Sequence, residues 1–549
     1  MKRKGSFAPI RHWLGIVALI CVLIGSGLNS RAASTKPAEF TVFIADPGQP
    51  PTPDNKIYKL LKQRLGVSLK FEFLVGDRDQ KLGIMIAGGD YPDIMTGHTR
   101  LVDAGAFIPL EDLIRKYAPH LYAHYKPYWN MIKEPKDGHI YILPDYGRYY
   151  GEYKPTVFYG PSFWMQKAVL AESGYPKVRT LDQYFDLIAK YEQQHPTVAG
   201  KPTIGFTILS DGWRDFCLRN PPQHLIGHPN DGGVVVNQKT FKAEIFADKD
   251  YAKRYYQKLC QMNALGIIDR ESFVQTYDQY IAKLSSGRVL GMFDQRWNFD
   301  NAESSLRIQG LVDRTYAPCP IAYDSKIRDW YMDRTVLNIN CGFGITTKCK
   351  DPVRVIKFLD ALLTEDWQKI LGWGIRGEDY EVDAKGAFYR TPEQRVHGDD
   401  PMWKLANKAE ALWYYVPKME GTFKDGNATG PGTQPGEFFA ALKPYDQQFM
   451  AKYRHKTWAE FYSPAPPNPI YYPTWQINLI EGSLAKLAET KMNELGDKYL
   501  PKAILAKPGD FDKVWSEYVR ELHKLNIKAY EDRINEQIQW RIKNWGGKK

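Results

Sequence analysis

Apolar positions change period repeatedly between residues 38 and 100, and each change predicts an element. Phe40 to Ala45 (FTVFIA) reads as a strand, and the helix-breaking run Asp46 to Asp54 (DPGQPPTPD) reads as a loop. Asp54 or Asn55 then caps a helix with Ile57, Leu60, Leu61 and Leu65 on one face, after which Val67, Leu69, Phe71 and Phe73 alternate as a second strand. Strand, helix, strand in that order implies a parallel sheet at the amino end. Arg78 to Ala87 continues as a helix, and the stretch AGGDYPDIMTGHTR (Ala87 to Arg100) turns it into another strand. Gly88 and Gly89 permit positive φ, Pro92 extends Tyr91, and Ile94-Met95 is a short buried strand. Thr96, Gly97 and His98 then fall at a strand's carboxyl end, where open α/β sheets border their ligand crevice.

The same pattern predicts helices over Leu110 to Tyr117, Leu181 to Tyr191, Tyr251 to Asn263, Tyr277 to Leu284, Val353 to Leu363, Leu479 to Leu495 and Asp510 to Ala529. Short strands are predicted at Ile140 to Leu143, Thr203 to Ile208 and Val289 to Phe293. Asn427 to Glu437 and Pro464 to Pro473 are Pro/Gly-rich connectors or site loops. A chain of 549 residues exceeds one ordinary core, so two α/β domains are expected.

Composition narrows the address and the partners. A basic start followed by an apolar run from Trp13 to about Leu28, then Ser30-Arg31-Ala32, reads as a secretory signal peptide over residues 1–32. An uncleaved membrane anchor is the alternative, and Ile20 before Cys21 is too bulky for a lipid-attachment motif. The five basic residues of that segment (Lys2, Arg3, Lys4, Arg11, Arg31) account for part of the formal charge of +11 and leave +6. Acids and bases interleave thereafter without a basic stripe, which argues against nucleic-acid binding. The remaining Cys217, Cys260, Cys319, Cys341 and Cys349 are odd in number and lack C-x-x-C spacing, so neither a disulfide framework nor a zinc ribbon is indicated.

Aromatic residues make up 14% of the chain, and many fall in polar, Gly-rich surroundings: Tyr149-Tyr150, Trp213, Trp297, Trp330-Tyr331, Trp373 and Tyr471-Tyr472. Sugars offer C–H faces that pack on aromatic rings and hydroxyls that pair with polar side chains. Phe293 to Trp297 (FDQRW) supplies both kinds of group, with Asp294 and Arg296 beside Trp297. Core packing is the competing reading for each ring. Gly372 to Gly377 matches G-x-G-x-x-G but follows a helix, which is the wrong context for a dinucleotide. His120 and His124 share a helix face without the glutamate of a metalloprotease motif, so they read as a surface pair. Asp90 and Asp93 read as turn-capping residues rather than a glycosidase acid pair. No catalytic residues, metal ligands or cofactor are therefore expected.

The order of segments resembles the extracellular solute-binding proteins of ABC importers, of the large oligosaccharide-binding kind. The resemblance rests on AGGDYPDIM (Ala87 to Met95), GAFIPLEDLIRKYAPHL (Gly105 to Leu121), DGHIYILP (Asp137 to Pro144), GIIDRESF with YIAKLSSGRVLGMFDQRW (Gly266 to Trp297), GFGITTKCKDPVRVIKFLDALLTED (Gly342 to Asp366) and WGIRGEDY (Trp373 to Tyr380). It implies a two-lobed fold of periplasmic-binding-protein type II, with the ligand cleft between lobes joined by hinge segments. One lobe would hold 39–152 plus 330–415, and the other 153–329 plus 416–549 with the carboxy-terminal helices. A more distant similarity to maltose-binding proteins implies Tyr159, Trp297 and Trp475 as sugar-facing rings. The full expected ligand set is Thr96, Gly97, His98, Tyr159, Trp213, Asp294, Arg296, Trp297, Trp373, Tyr472 and Trp475. Relatives carry a calcium loop near His195 to Lys201, but HPTVAGK lacks its acids, so no calcium is implied. The resemblance implies an extracellular monomer that delivers an oligosaccharide to ABC permease subunits. A secreted glycosidase and a peptide-binding transport protein are the alternatives.

Overall fold

The computed structural model describes residues 37–332, 336–466 and 469–545. The signal-peptide reading falls on the amino-terminal residues, outside those described. Strand β1 (Ala38–Ile44) leads through helix α1 (Lys56–Leu65) to β2 (Val67–Phe73), and helix α2 (Arg78–Gly88) leads to β3 (Ile94–Thr96). Asn55 caps α1 by accepting from the backbone N–H groups of Ile57 and Tyr58. Gly66, at φ 65°, ends α1 in the left-handed conformation, releasing the chain directly into β2. β1 is parallel to both β2 and β3. Two further short strands, β4 (Leu143–Pro144) and a much later β9 (Gly342–Ile345), complete a five-stranded sheet in the order β2-β1-β3-β9-β4, with β9 antiparallel to its neighbours. Val42, Ile57, Leu61, Ile94, Leu121 and Leu359 belong to its buried core.

A second sheet joins β5 (Pro161–Gln166), β6 (Ile204–Thr207), β7 (Val289–Gln295) and β8 (Tyr316–Cys319) in the order β8-β5-β7-β6. β7 is parallel to β6 and antiparallel to β5. Every residue of β5 is buried, which removes the two-residue alternation of a half-exposed strand. Gly291 of β7 lies against the Tyr184 hydroxyl, and a Cβ there would collide with it. The core of this second lobe draws on residues 163–331 and on the carboxy-terminal helices, with Trp515, Tyr518 and Ile538 among its buried members.

Segments that run between the two buried cores pair with one another. Tyr149-Tyr150 pairs in parallel with Glu420-Gly421, and the Asn338 N–H donates to the Tyr146 carbonyl at 3.1 Å. Gly147 sits at φ 99° against the Val336 backbone, an approach that excludes any side chain.

Several sequence expectations change. Helix Leu484–Ile504 starts later than expected and runs through Pro501, and the segment expected as one helix over Asp510 to Ala529 breaks into Phe511–Leu522 and Ile527–Trp545. The strand expected at Ile140 to Leu143 is reduced to Leu143–Pro144. Only Gly89 of the glycine pair has positive φ, because α2 extends through Gly88. The expected surface histidine pair is divided: His120 is half-exposed and bonded to Asp360, whereas His124 is buried against Tyr150 with its pKa lowered to about 3 by burial. Asp93 ties its turn to the neighbouring strand instead of capping it: Oδ2 accepts from both the N–H and the hydroxyl of Thr41 on β1 at 2.8 Å.

Candidate ligand cleft between the lobes

The parallel strands aim their carboxyl ends at the space between the lobes, so the residues that follow them meet there. From the first lobe come Asp46 after β1, Arg78 after β2 and His98 after β3. Asp77 caps α2 through the Gln80 N–H at 2.7 Å, placing Arg78 in the first turn. From the second lobe come Trp213 and Arg214 after β6, Trp297 after β7 and Tyr159, which precedes the antiparallel β5.

The rings of Trp213 and Trp297 stack with centroids 5.8 Å apart and planes 6° from parallel. Trp297 is 43% exposed, and its indole N–H donates to Gln295 Oε1 at 2.8 Å, fixing the ring while leaving apolar surface open. The Arg78 guanidinium carbon lies 5.0 Å from the Trp213 ring centroid, and this contact crosses from one lobe to the other. The Arg214 guanidinium carbon lies 4.4 Å from the same ring and 4.0 Å from the Tyr277 ring. Behind Arg78, Asp46 accepts from the Tyr415 hydroxyl at 2.9 Å, and burial raises the Asp46 pKa against the opposing pull of that bond and of both arginines. Burial, helped by Arg78, lowers the His98 pKa to about 4, so His98 is neutral at ordinary pH. Neutral His98, charged Arg78 and Arg214 and exposed aromatic faces form a surface that can hold a ring with apolar faces and polar edges.

The expected residues separate into cleft surface and support. Trp213 and Trp297 stack on each other, His98 lies within electrostatic reach of Arg78, and Tyr159, 51% exposed, passes its carbonyl toward the Trp297 N–H at 3.5 Å. Thr96 and Gly97 are scaffold: the Thr96 hydroxyl accepts from the Ala45 N–H, the Gly97 N–H donates to the Gly342 carbonyl, and a Cβ on Gly97 would press on Ile142. Asp294 is wholly buried, receiving bonds from Tyr280, Cys217 and Asn298, and burial raises its pKa to about 6. Arg296 is buried and paired with Glu303. Tyr472 is buried in the second core, and Trp475 is 39% exposed beside Gly232.

Trp373 is the clear correction. It is 0% exposed, packs with Tyr380 and Phe388, and donates its indole N–H to the Ala428 carbonyl at 2.9 Å. The glycines around it resemble a loop in sequence, but they allow close backbone packing over the ring: Gly372 lies against the Thr429 carbonyl. Sequence reasoning missed Asp46, Arg78, Arg214, Tyr277 and Tyr415. The rule that selected Thr96 to His98 would have found Asp46 and Arg78, which follow β1 and β2 in the same way. Tyr415 enters from a passage more than 360 positions from its partner Asp46, for which no local signal exists.

Residues 57–374 match the family of bacterial extracellular solute-binding proteins. A fructooligosaccharide ABC transporter substrate-binding protein of Streptococcus pneumoniae, FusA, is 24% identical over 505 residues, covering 88% of this chain and 87% of its own length. The structure of FusA in complex with kestose is similar in fold, with a TM-score of 0.66 at 19% identity over 92% of this chain and all of that one. The S. pneumoniae N-glycan transport solute-binding protein NgtS, in complex with Man5GlcNAc, superposes with a TM-score of 0.53 at 14% identity over 93% of this chain and 100% of its own. With a family match over more than half its length, a two-lobed fold and a cleft built at the strand ends, this chain belongs to the bacterial extracellular solute-binding proteins.

Proposed function

We propose that this protein captures an oligosaccharide outside the cell and delivers it to the permease subunits of an ABC importer, without breaking a bond itself. The Trp213–Trp297 stack carries the reading: it presents exposed indole surface at the interface of two lobes, beside guanidinium, hydroxyl and imidazole groups suited to sugar hydroxyls. FusA and NgtS, which share the fold, are described as transport proteins for fructooligosaccharides and N-glycans, in keeping with a carbohydrate ligand. In this reading residues 1–32 are a signal peptide, and the mature chain acts as a monomer at the cell surface. The lobes are 39–152 plus 330–415 and 153–329 plus 416–549, and ligand binding closes them about the passages at Tyr149 and Glu420. Residues 417–429 would move with the first lobe, since they cover Trp373.

Glycan and peptide pools offered side by side to the purified protein test this. Retention of a glycan that is recovered chemically intact, with an upward shift of the unfolding temperature, is the expected result. Saturable peptide retention with no glycan retained, or cleavage of the bound glycan, would overturn it.

A further inference from the structure

Arg78 and Arg214 approach one ring, that of Trp213, from opposite lobes. Neither guanidinium has an ion-pair partner among the described residues. Arg78 Nε is buried without a hydrogen-bond partner, while Arg214 Nε donates to the neutral Asn298 amide oxygen at 3.0 Å. The surrounding acids are already engaged. Asp46 holds the Tyr415 hydroxyl, Asp77 caps α2, and Asp79 takes Arg100 through its carbonyl and carboxylate. Asp294 is enclosed by three side-chain donors. Arginine does not shed its proton to relieve such a position, so two like charges share a partly dry space with one shared carboxylate in reach. Both arginines are half-buried and only Arg78 Nε lacks a hydrogen-bond partner, but a charge withdrawn from water without a counter-ion is costly, and two such guanidiniums side by side are complementary to an anion supplied from outside. Arginine's planar fork suits carboxylate and sulfate oxygens.

We infer that the bound oligosaccharide carries an anionic substituent, a ring carboxylate or a sulfate ester, received between Arg78 and Arg214 beside the Trp213–Trp297 pair. The inference rests on the oligosaccharide reading above and specifies its substrate class. Because the two arginines come from different lobes, an anion held by both ties one lobe to the other. A neutral sugar would leave both guanidiniums competing for Asp46.

The test passes an acidic glycan-fragment pool, the same pool after carboxyl reduction, the same pool after desulfation, and a neutral fructo- and manno-oligosaccharide pool over the immobilised mature protein. Retention from the untreated acidic pool, lost in one treated arm, supports the inference and tells carboxylate from sulfate. Equal retention from treated and neutral pools overturns it while leaving the oligosaccharide reading standing. A peptide pool run in parallel completes the test: its retention, with no glycan retained from any pool, overturns both. With the retained acidic glycan as ligand, Arg78→Gln and Arg214→Gln should each weaken binding roughly tenfold or more, and each should flatten its dependence on salt. Arg214→Lys, which keeps the charge but loses the fork, should fall between Arg214→Gln and the parent. Thermal unfolding of each variant, in the absence of ligand, confirms that it is folded. Folded glutamine variants that bind the acidic glycan as tightly as the parent would overturn the inference.

Discussion

Trp297, beside Arg296, and Trp373, between Gly372 and Gly374, both read in the sequence as rings in polar or Gly-rich surroundings, yet the fold gives them opposite environments. Trp297 lies just beyond β7, in the first turn of helix Arg296–Ile308, with Trp213 stacked on it and much of its surface open. Trp373 ends helix Glu365–Gly372, and the returning passage around Ala428 and Thr429 folds across it. The residues beside each tryptophan in sequence do not decide the matter. What decides it is how far distant segments close over the ring: the passage at Ala428 helps to enclose Trp373 completely, whereas Trp213 stacks on Trp297 and leaves it 43% exposed.

Removing each ring should separate the two environments, and the largest effect is expected at Trp373. Trp373→Ala empties a closed cluster and should destabilise the protein by about 3–5 kcal/mol in denaturant unfolding, with the affinity of the remaining folded protein unchanged. A loss of affinity without a loss of stability would erase the contrast.

Next in size is the pH dependence set by Asp294, the buried carboxyl near the end of β7, three positions before Trp297. Its folded pKa of about 6 lies above the ordinary value of 3.8, so the folded state holds its proton more tightly. The stabilisation from this carboxyl is therefore fully present below about pH 4 and is lost as pH rises through about 6. Relative to Asp294→Asn, the parent should lose on the order of 3 kcal/mol across that interval, read from unfolding curves at a series of pH values. A difference between the two proteins that stays flat from pH 4 to 7 would show that the carboxyl is ionised throughout.

Smallest in stability is Trp297→Ala. It should change unfolding by less than about 1 kcal/mol and weaken ligand binding by about 1–3 kcal/mol, the range for a ring stacked on an aromatic side chain. Calorimetric titration with the glycan retained by the protein reads this directly. Unchanged affinity would assign the ring to inter-lobe packing.

The first lobe was far more legible than the second. From Phe40 to Met95 each element completes its period within a few residues, and its cap or turn lies beside it, as Asn55 does for α1 and Gly89 for α2. In the second lobe, β5 is buried on both faces and β8 is a four-residue strand, so neither shows alternation. Helix Arg296–Ile308 follows β7 without an intervening loop, and the apolar pattern alone gave no sign of it. The cleft was legible only where it follows a recognised strand: His98 and Trp297 could be found, whereas Tyr415 and the pairing of Arg78 with Trp213 could not.

By itself the sequence determined the parallel sheet at the amino end and the pool of aromatic and polar residues from which the proposed sugar site is drawn. These depend on period, spacing and composition, which are local. Tertiary structure alone decided which rings face the cleft, which acids are held in networks, and that two arginines from different lobes meet over one indole. Those outcomes depend on contacts between segments far apart in the chain, from 55 positions for Trp373 with Ala428 to 369 for Tyr415 with Asp46. Their energies come from burial and pairing that no single stretch of the chain contains.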